Sequence, residues 1–189
     1  MNKYSNLFSN LSSYEDFVMK CDIIGEKISN IEILSNFTKI EDYWFTVAGG
    51  KLLFLDNNGI RCEDFEIKGD FYCNICTSLT SLEGAPREVG GSFDCSYCTS
   101  LTSLKGSPRK VGGDFDCSYC TSLTSLKGAP RKVDGAFDCS NCTSLTSLEG
   151  APREVGWFFD CSYCTSLTSL EGAPRKVGGD FIHDDNLII

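Results

Sequence analysis

Apolar residues recur along this chain in two rhythms that alternate through most of its length. In Phe93-Asp94-Cys95-Ser96, Phe115 to Ser118, Phe137 to Ser140 and Phe159 to Ser162, apolar and polar residues take turns. Period two over a short run bounded by glycines predicts a strand with one buried face, Phe and Cys inward and Asp and Ser outward. TSLTSL follows, with Leu101 and Leu104 three apart, which suits a bend that returns one side to the core. Gly-Ala-Pro, or Gly106-Ser107-Pro108, then supplies a turn, because glycine permits unusual backbone angles and proline fixes its own φ. Val89, Val111, Val133, Val155 and Val177 are expected to pack the return segment.

The whole cycle is a 22-residue unit copied five times from Cys76 to Asp185, starting at Cys76, Cys98, Cys120, Cys142 and Cys164. A repeat of this period predicts a stacked coil in which each unit buries its neighbour's apolar face. Two imperfect units extend it: Leu53-Phe54-Leu55-Asp56-Asn57-Asn58-Gly59-Ile60 before, and Phe181-Ile182-His183-Asp184-Asp185-Asn186-Leu187 after. Residues 51–189 are thus expected to form the solenoid and residues 1–50 a non-repeating amino-terminal cap. In that cap Ser12 or Ser13 heads a candidate helix through Tyr14, Phe17, Val18, Cys21, Ile23 and Ile24. A second apolar segment, Ile31 to Ile40, precedes Tyr43-Trp44-Phe45, so a mainly helical cap is expected.

Of the 12 cysteines, ten form CxxC pairs: Cys73/Cys76, Cys95/Cys98, Cys117/Cys120, Cys139/Cys142 and Cys161/Cys164. The spacing between pairs falls within that of four-thiolate zinc sites, and a Cys-rich metal-binding protein is one reading. Against it, five pairs do not divide into four-cysteine sites, and each cysteine already has a place in the coil. Buried free thiols are expected, with no metal and no cofactor. His183, the only histidine, takes a strand-cysteine slot in the last unit, and no second histidine or buried base stands by for a Ser or Thr nucleophile. GxGxxG and phosphate-loop patterns are absent. No enzyme is expected.

The strand and bend together read FxCxxCxxLxxL, which is similar to the LxLxxNxL or LxLxxCxxL core of leucine-rich repeats. CTSLTSL followed by proline, valine, glycine, phenylalanine and cysteine most resembles the short-repeat bacterial surface-antigen (BspA-like) class, also seen in phage and giant-virus proteins. The resemblance covers about residues 50–189 and departs from the pattern at Gly90, Gly112, Gly156 and Gly178, where a leading aliphatic is usual. It implies a right-handed leucine-rich-repeat-like coil with short parallel strands. It also implies a ladder of side chains bonding the backbone of adjacent turns, here Asn58, Cys76, Cys98, Cys120, Cys142, Cys164 and Asn186; asparagine and a thiol can both donate.

Function is then expected on the surface. The chain carries a net charge of −9, which disfavours direct nucleic-acid binding by counterion release. An acidic surface suits a basic or nucleic-acid-binding bacterial enzyme as protein partner. The amino terminus shows no secretory pattern, and no apolar run is long enough to span a bilayer, so a cytoplasmic protein without a membrane partner is expected. Asp94, Asp116, Asp138 and Asp160 fall in one outward column, with a second column at Arg87, Arg109, Arg131, Arg153 and Arg175. Departures from the repeat mark a candidate partner site at Trp157, Phe158, Asp134 and Asn141, since Trp157 stands where other units have glycine and has no evident core slot. Likeness to arrays from phages and mobile elements implies an inhibitor or adaptor, such as an anti-CRISPR-like inhibitor of a defence nuclease. The same class includes surface or adhesin-like proteins, the alternative reading.

Overall fold

A computed structural model describes residues 38–40, 43–48, 50–56 and 64–185. The chain enters as an antiparallel meander of β1 (Thr38–Ile40), β2 (Tyr43–Ala48) and β3 (Lys51–Asp56). Tyr43-Trp44-Phe45-Thr46-Val47 is rich in aromatic and β-branched residues, the composition that fits a pleated surface. Gly50, at φ +76°, lies in the tight turn that sets Ala48 opposite Lys51. The described part of the cap is therefore sheet, and the expectation of a mainly helical cap is corrected there. The candidate helix over Tyr14 to Ile24 lies outside the described residues.

Every coil that follows carries two short strands. The first set is β4 (Glu66–Ile67), β6 (Glu88–Val89), β8 (Lys110–Val111), β10 (Lys132–Val133), β12 (Glu154–Val155) and β14 (Lys176–Val177). Alternating with them are β5 (Phe71–Tyr72), β7 (Phe93–Asp94), β9 (Phe115–Asp116), β11 (Phe137–Asp138), β13 (Phe159–Asp160) and β15 (Phe181–Ile182). Each set stacks as a six-stranded parallel sheet, valine over valine in one and phenylalanine over phenylalanine in the other. Isolated parallel bridges, Ser81 to Ser103 and Ser125 to Ser147, tie the TSLTSL segments together. The result is a parallel β-solenoid of about five turns, and no helix occurs among the described residues.

The core is a set of columns. Phe93, Phe115, Phe137 and Phe159 stack with ring centroids 5.1 to 5.5 Å apart and rings within 9° of parallel. The strand valines and the two leucines of each bend fill the rest, with Val89, Val111, Leu101, Leu104, Leu123 and Leu126 almost wholly buried. At the amino-terminal end Phe54 of β3 continues the aromatic column, 5.3 Å from Phe71, and Leu52 and Val47 join the same core. The repeat register assigns Leu53 to that slot. In the structure Phe54 holds it, one residue on, because β3 pairs antiparallel with β2, and a slip of one residue exchanges the faces of a strand.

The glycine of each GAP turn has φ between +89° and +97°, a region that only glycine enters freely. A Cβ at Gly106 would also press on the Glu83 backbone at 2.5 Å, so two separate reasons fix glycine there.

The ladder forms as a thiol ladder. Cys98 Sγ donates to the carbonyl of Cys73 at 3.2 Å, Cys120 to Cys95 at 3.3 Å, and Cys142 and Cys164 to Cys117 and Cys139 at 3.2 Å. Each of these four cysteines thus satisfies a buried carbonyl of the preceding coil, a group that is expensive to leave unpaired. Asn58 and Asn186 lie outside the described residues. Cys120→Asn is expected to keep a donor in the slot, whereas Cys120→Leu deprives the Cys95 carbonyl and should cost roughly 1–3 kcal/mol. Urea unfolding of the two variants checks this, and equal destabilisation contradicts the role given to the thiol.

Candidate functional site

The ten cysteines of the CxxC pairs are free thiols, and all but the half-buried Cys76 lie in the core. Burial pushes the Cys73, Cys95 and Cys139 thiols well up, and Cys161 up to about 12. Two go the other way: a hydrogen bond with the Cys98 thiol lowers Cys76 to about 7, and one with the Cys139 thiol lowers Cys164. No group of three or more His, Cys, Asp or Glu side chains is placed to hold a metal among the described residues. His183 is half-buried, with Nδ1 3.0 Å from the Asp184 carbonyl oxygen and its ring edge-on to Phe181.

The aspartate column is real, and it recruits its own donors. Oδ1 of Asp94, Asp116, Asp138 and Asp160 each accepts the backbone N–H two residues on, from Ser96, Ser118, Ser140 and Ser162, at 2.8 Å. This bond folds the chain out of the strand and into the corner. Ser96, Ser118 and Ser140, expected outside, are buried beneath that corner. The price of regularity is that like charges stack in register. Burial raises the carboxyls of Asp116 and Asp138 above the ordinary range, flanking aspartates add to the rise, and the serine N–H and hydroxyl bonds oppose it.

A second column of acceptors lies in the loop between the two sheets. Asp70 Oδ1 accepts the N–H of Ser92 at 2.7 Å, Ser92 Oγ that of Asp114 at 3.1 Å, and Asp114 Oδ1 that of Ala136 at 2.7 Å. Each cap fills the space above the next coil's glycine. A Cβ on Gly91 or Gly135 would overlap the carboxylate of Asp70 or Asp114, and one on Gly113 would meet Ser92 Oγ at 2.5 Å. At Ala136 the acceptors stop. Position 157, one coil on, is where glycine gives way to tryptophan. Above it the loop has opened, since a Cβ on Gly179 would find its nearest neighbour, a Trp157 backbone atom, at 3.3 Å. Backbone of the preceding coil also crowds a Cβ at Gly91, Gly113 or Gly135, at 2.7 to 2.9 Å, so the cap is one of two obstacles to a side chain, and Ala136 removes that one directly beneath the coil in which tryptophan replaces glycine.

Trp157 is 66% exposed while its amide still bonds the Gly135 carbonyl at 3.0 Å, so it interrupts the surface and not the stacking. Phe158 beside it is half-buried. Asp134, in the coil below, is exposed and paired with Lys132 at 2.7 Å. The structure brings these three to one corner of successive coils. Asn141 stands apart, beyond β11, at the corner that ends the aspartate strands. It sits at φ +59°, as do Ile75, Tyr97, Tyr119 and Tyr163 within a few degrees. That left-handed corner strains bulky side chains, and asparagine tolerates it best. Tyr97 and Tyr119 stack there with centroids 4.4 Å apart, and both are exposed, as are Ile75 and Tyr163. Sequence reasoning missed this tyrosine column and the Ala136–Trp157 coupling. The coupling had a legible trace, since Gly follows Asp70, Ser92 and Asp114 one coil later and Trp follows Ala136.

No family model, no curated protein and no solved structure matches this chain.

Two outcomes test this geometry. Ala136→Asp should destabilise the parent protein, because the new carboxylate contends with Trp157, and be neutral or stabilising when Trp157→Gly is also present. A coupling above about 0.5 kcal/mol in a denaturation cycle is expected, and additivity would remove the link. Asp116→Asn and Asp138→Asn keep the Oδ1 acceptor without the charge. The native carboxyls hold their protons more tightly when folded, so their contribution is fully present below pH 3.8 and lost as pH rises through the folded value. The Asn variants should therefore melt higher than the parent at neutral pH, with the difference fading in acid.

Proposed function

We propose that this chain is a non-enzymatic binding solenoid whose ligand is another macromolecule, a protein, gripped at the corner of Trp157, Phe158 and Asp134. The observation that carries the reading is the 66% exposure of Trp157 at a point where an otherwise uniform repeat departs from itself. An exposed tryptophan beside a half-buried phenylalanine has the composition of an interface hot spot. Further support comes from where the reactive groups are. Among the described thiols all but Cys76 are buried in the core and the ladder, which favours a binding role over chemistry. The net charge of −9 favours a partner whose contact surface is basic, such as an enzyme that handles nucleic acid. On this reading the chain acts by occupying that surface, as an inhibitor or adaptor does.

The experiment is affinity capture of partners by the full chain, followed by titration of the captured protein with the variant Trp157→Gly, Phe158→Ser. The substitution recreates the Gly91-Ser92 loop, so the fold should survive. Binding should weaken by about 2 kcal/mol or more. Unchanged affinity, or a variant that unfolds because Trp157 is structural, would refute the site.

A further inference from the structure

The solenoid carries two charged columns of opposite sign and equal pitch, and among the described residues neither is neutralised by an ion pair. The acidic column is Asp94, Asp116, Asp138 and Asp160, stacked in direct register through β7, β9, β11 and β13. Among the described residues their contacts are to backbone and to serine, with no ion pair. The segment that bears them, FDCSYCTS or FDCSNCTS, contains no Lys or Arg in any coil. The basic column is Arg109, Arg131, Arg153 and Arg175, in the segment leading into the other sheet. Arg109 is stacked on Arg87, Arg153 on Arg131 and Arg175 on Arg153 through amide-to-carbonyl bonds of 2.8 to 3.0 Å. All four guanidinium-bearing residues are exposed, and among the described ion pairs none involves them, in contrast to Arg87, which is paired with Glu66, Asp64 and Glu88.

We propose that the occupant of the acidic face is a second copy of this chain, laying its arginine column along the aspartate column of the first. Four carboxylates repeat along the axis at the strand spacing of about 4.8 Å, and four guanidiniums repeat at the same spacing because the same coils generate both. An unrelated partner would have to match that pitch by its own means, whereas a second copy matches it automatically. The aromatic edge of the face strengthens the fit. Tyr97, Tyr119 and Tyr163 line the corner next to the aspartates and are 39 to 65% exposed. A guanidinium that reaches the carboxylate can also lie against a tyrosine ring, the arrangement of a cation–π contact. Their retention at a left-handed corner, where Asn141 shows a less strained residue to be accommodated, is consistent with a use for the rings. An incoming guanidinium also relieves the mutual repulsion of Asp116 and Asp138.

Such a contact joins two different surfaces, so it is heterologous, and unless the rotation closes it leaves one free face of each kind for further addition. Exposed ion pairs are individually weak and strongly screened, and four in series give a reversible, salt-sensitive association. The proposal uses different residues from the Trp157 corner and stands or falls separately from it.

Sedimentation equilibrium of the full chain at low ionic strength should show a weight-average mass that climbs above 20.8 kDa with concentration and returns to the monomer value in about 1 M salt. Two variants dissect the contact: Asp94, Asp116, Asp138 and Asp160 all changed to Asn, which keeps the corner bonds, and Arg109, Arg131, Arg153 and Arg175 all changed to Gln. Each alone should be monomeric with an unaltered circular dichroism spectrum. Mixed, they should form a one-to-one dimer that grows no further, since each retains the face the other lacks. General charge repulsion makes the opposite forecast for the Asn variant, which sheds four negative charges from a chain of net −9 and would then associate more readily. A parent chain that is monomeric throughout at low salt, association that persists in either variant alone, or a mixture that stays monomeric would each overturn the proposal. The first of these outcomes would return the acidic face to a basic protein of another kind.

Discussion

Everything in this molecule depends on the exact recurrence of its backbone hydrogen bonds every 22 residues. Parallel coils bond in register, so each residue rests on its own counterpart, and whatever is placed once is placed in a column. Phenylalanine rings that stack at 5.1 to 5.5 Å do so because the strand spacing sets the distance, and the rings turn parallel to accept it. An apolar column is compounded gain. The thiol ladder follows the same logic, since a donor at one position of the repeat answers a buried carbonyl in four successive coils.

The same constraint makes polar columns demanding. Aspartates in register repel one another and are partly buried, yet each also folds the corner by accepting the N–H of the serine two residues on. The corner bond is local and strong, and the repulsion is spread over neighbours and shared with solvent. The column therefore persists, with Asp116 and Asp138 in its middle holding protons more tightly than usual. Bulky residues at the left-handed corner are a comparable case. The coil requires that backbone angle, and the tyrosines accept it with their rings turned outward in a stack.

Departures from strict repetition gain meaning against this background. The loop between the sheets holds glycine because the previous coil's backbone and its Asp or Ser side chain together fill the space a side chain would need. Loss of the acceptor at Ala136 removes the side-chain part of that exclusion, and a tryptophan stands in the next coil, fully compatible with the stacking bonds on either side. A regular array can thus acquire a distinctive surface feature at one coil without unsettling the rest.

The coil was legible in the sequence because its signals are local. Alternation in Phe93-Asp94-Cys95-Ser96, the three-residue spacing of Leu101 and Leu104, and the Gly-Pro turn each act over a few residues, and the 22-residue period says how they stack. The placement of the thiols inward and of Trp157 outward followed from the same pattern. What only the tertiary structure decided are relations between residues that meet across coils. Asp114 reaching the amide of Ala136 cannot be read from either segment alone, nor can the dependence of Trp157 on the missing acceptor below it. The amino-terminal strands belong to the same class. Their aromatic and β-branched residues admit more than one pairing, and the antiparallel hairpin with β2 brought Phe54, rather than Leu53, onto Phe71, because strand partners and not strand composition determine which face meets the core.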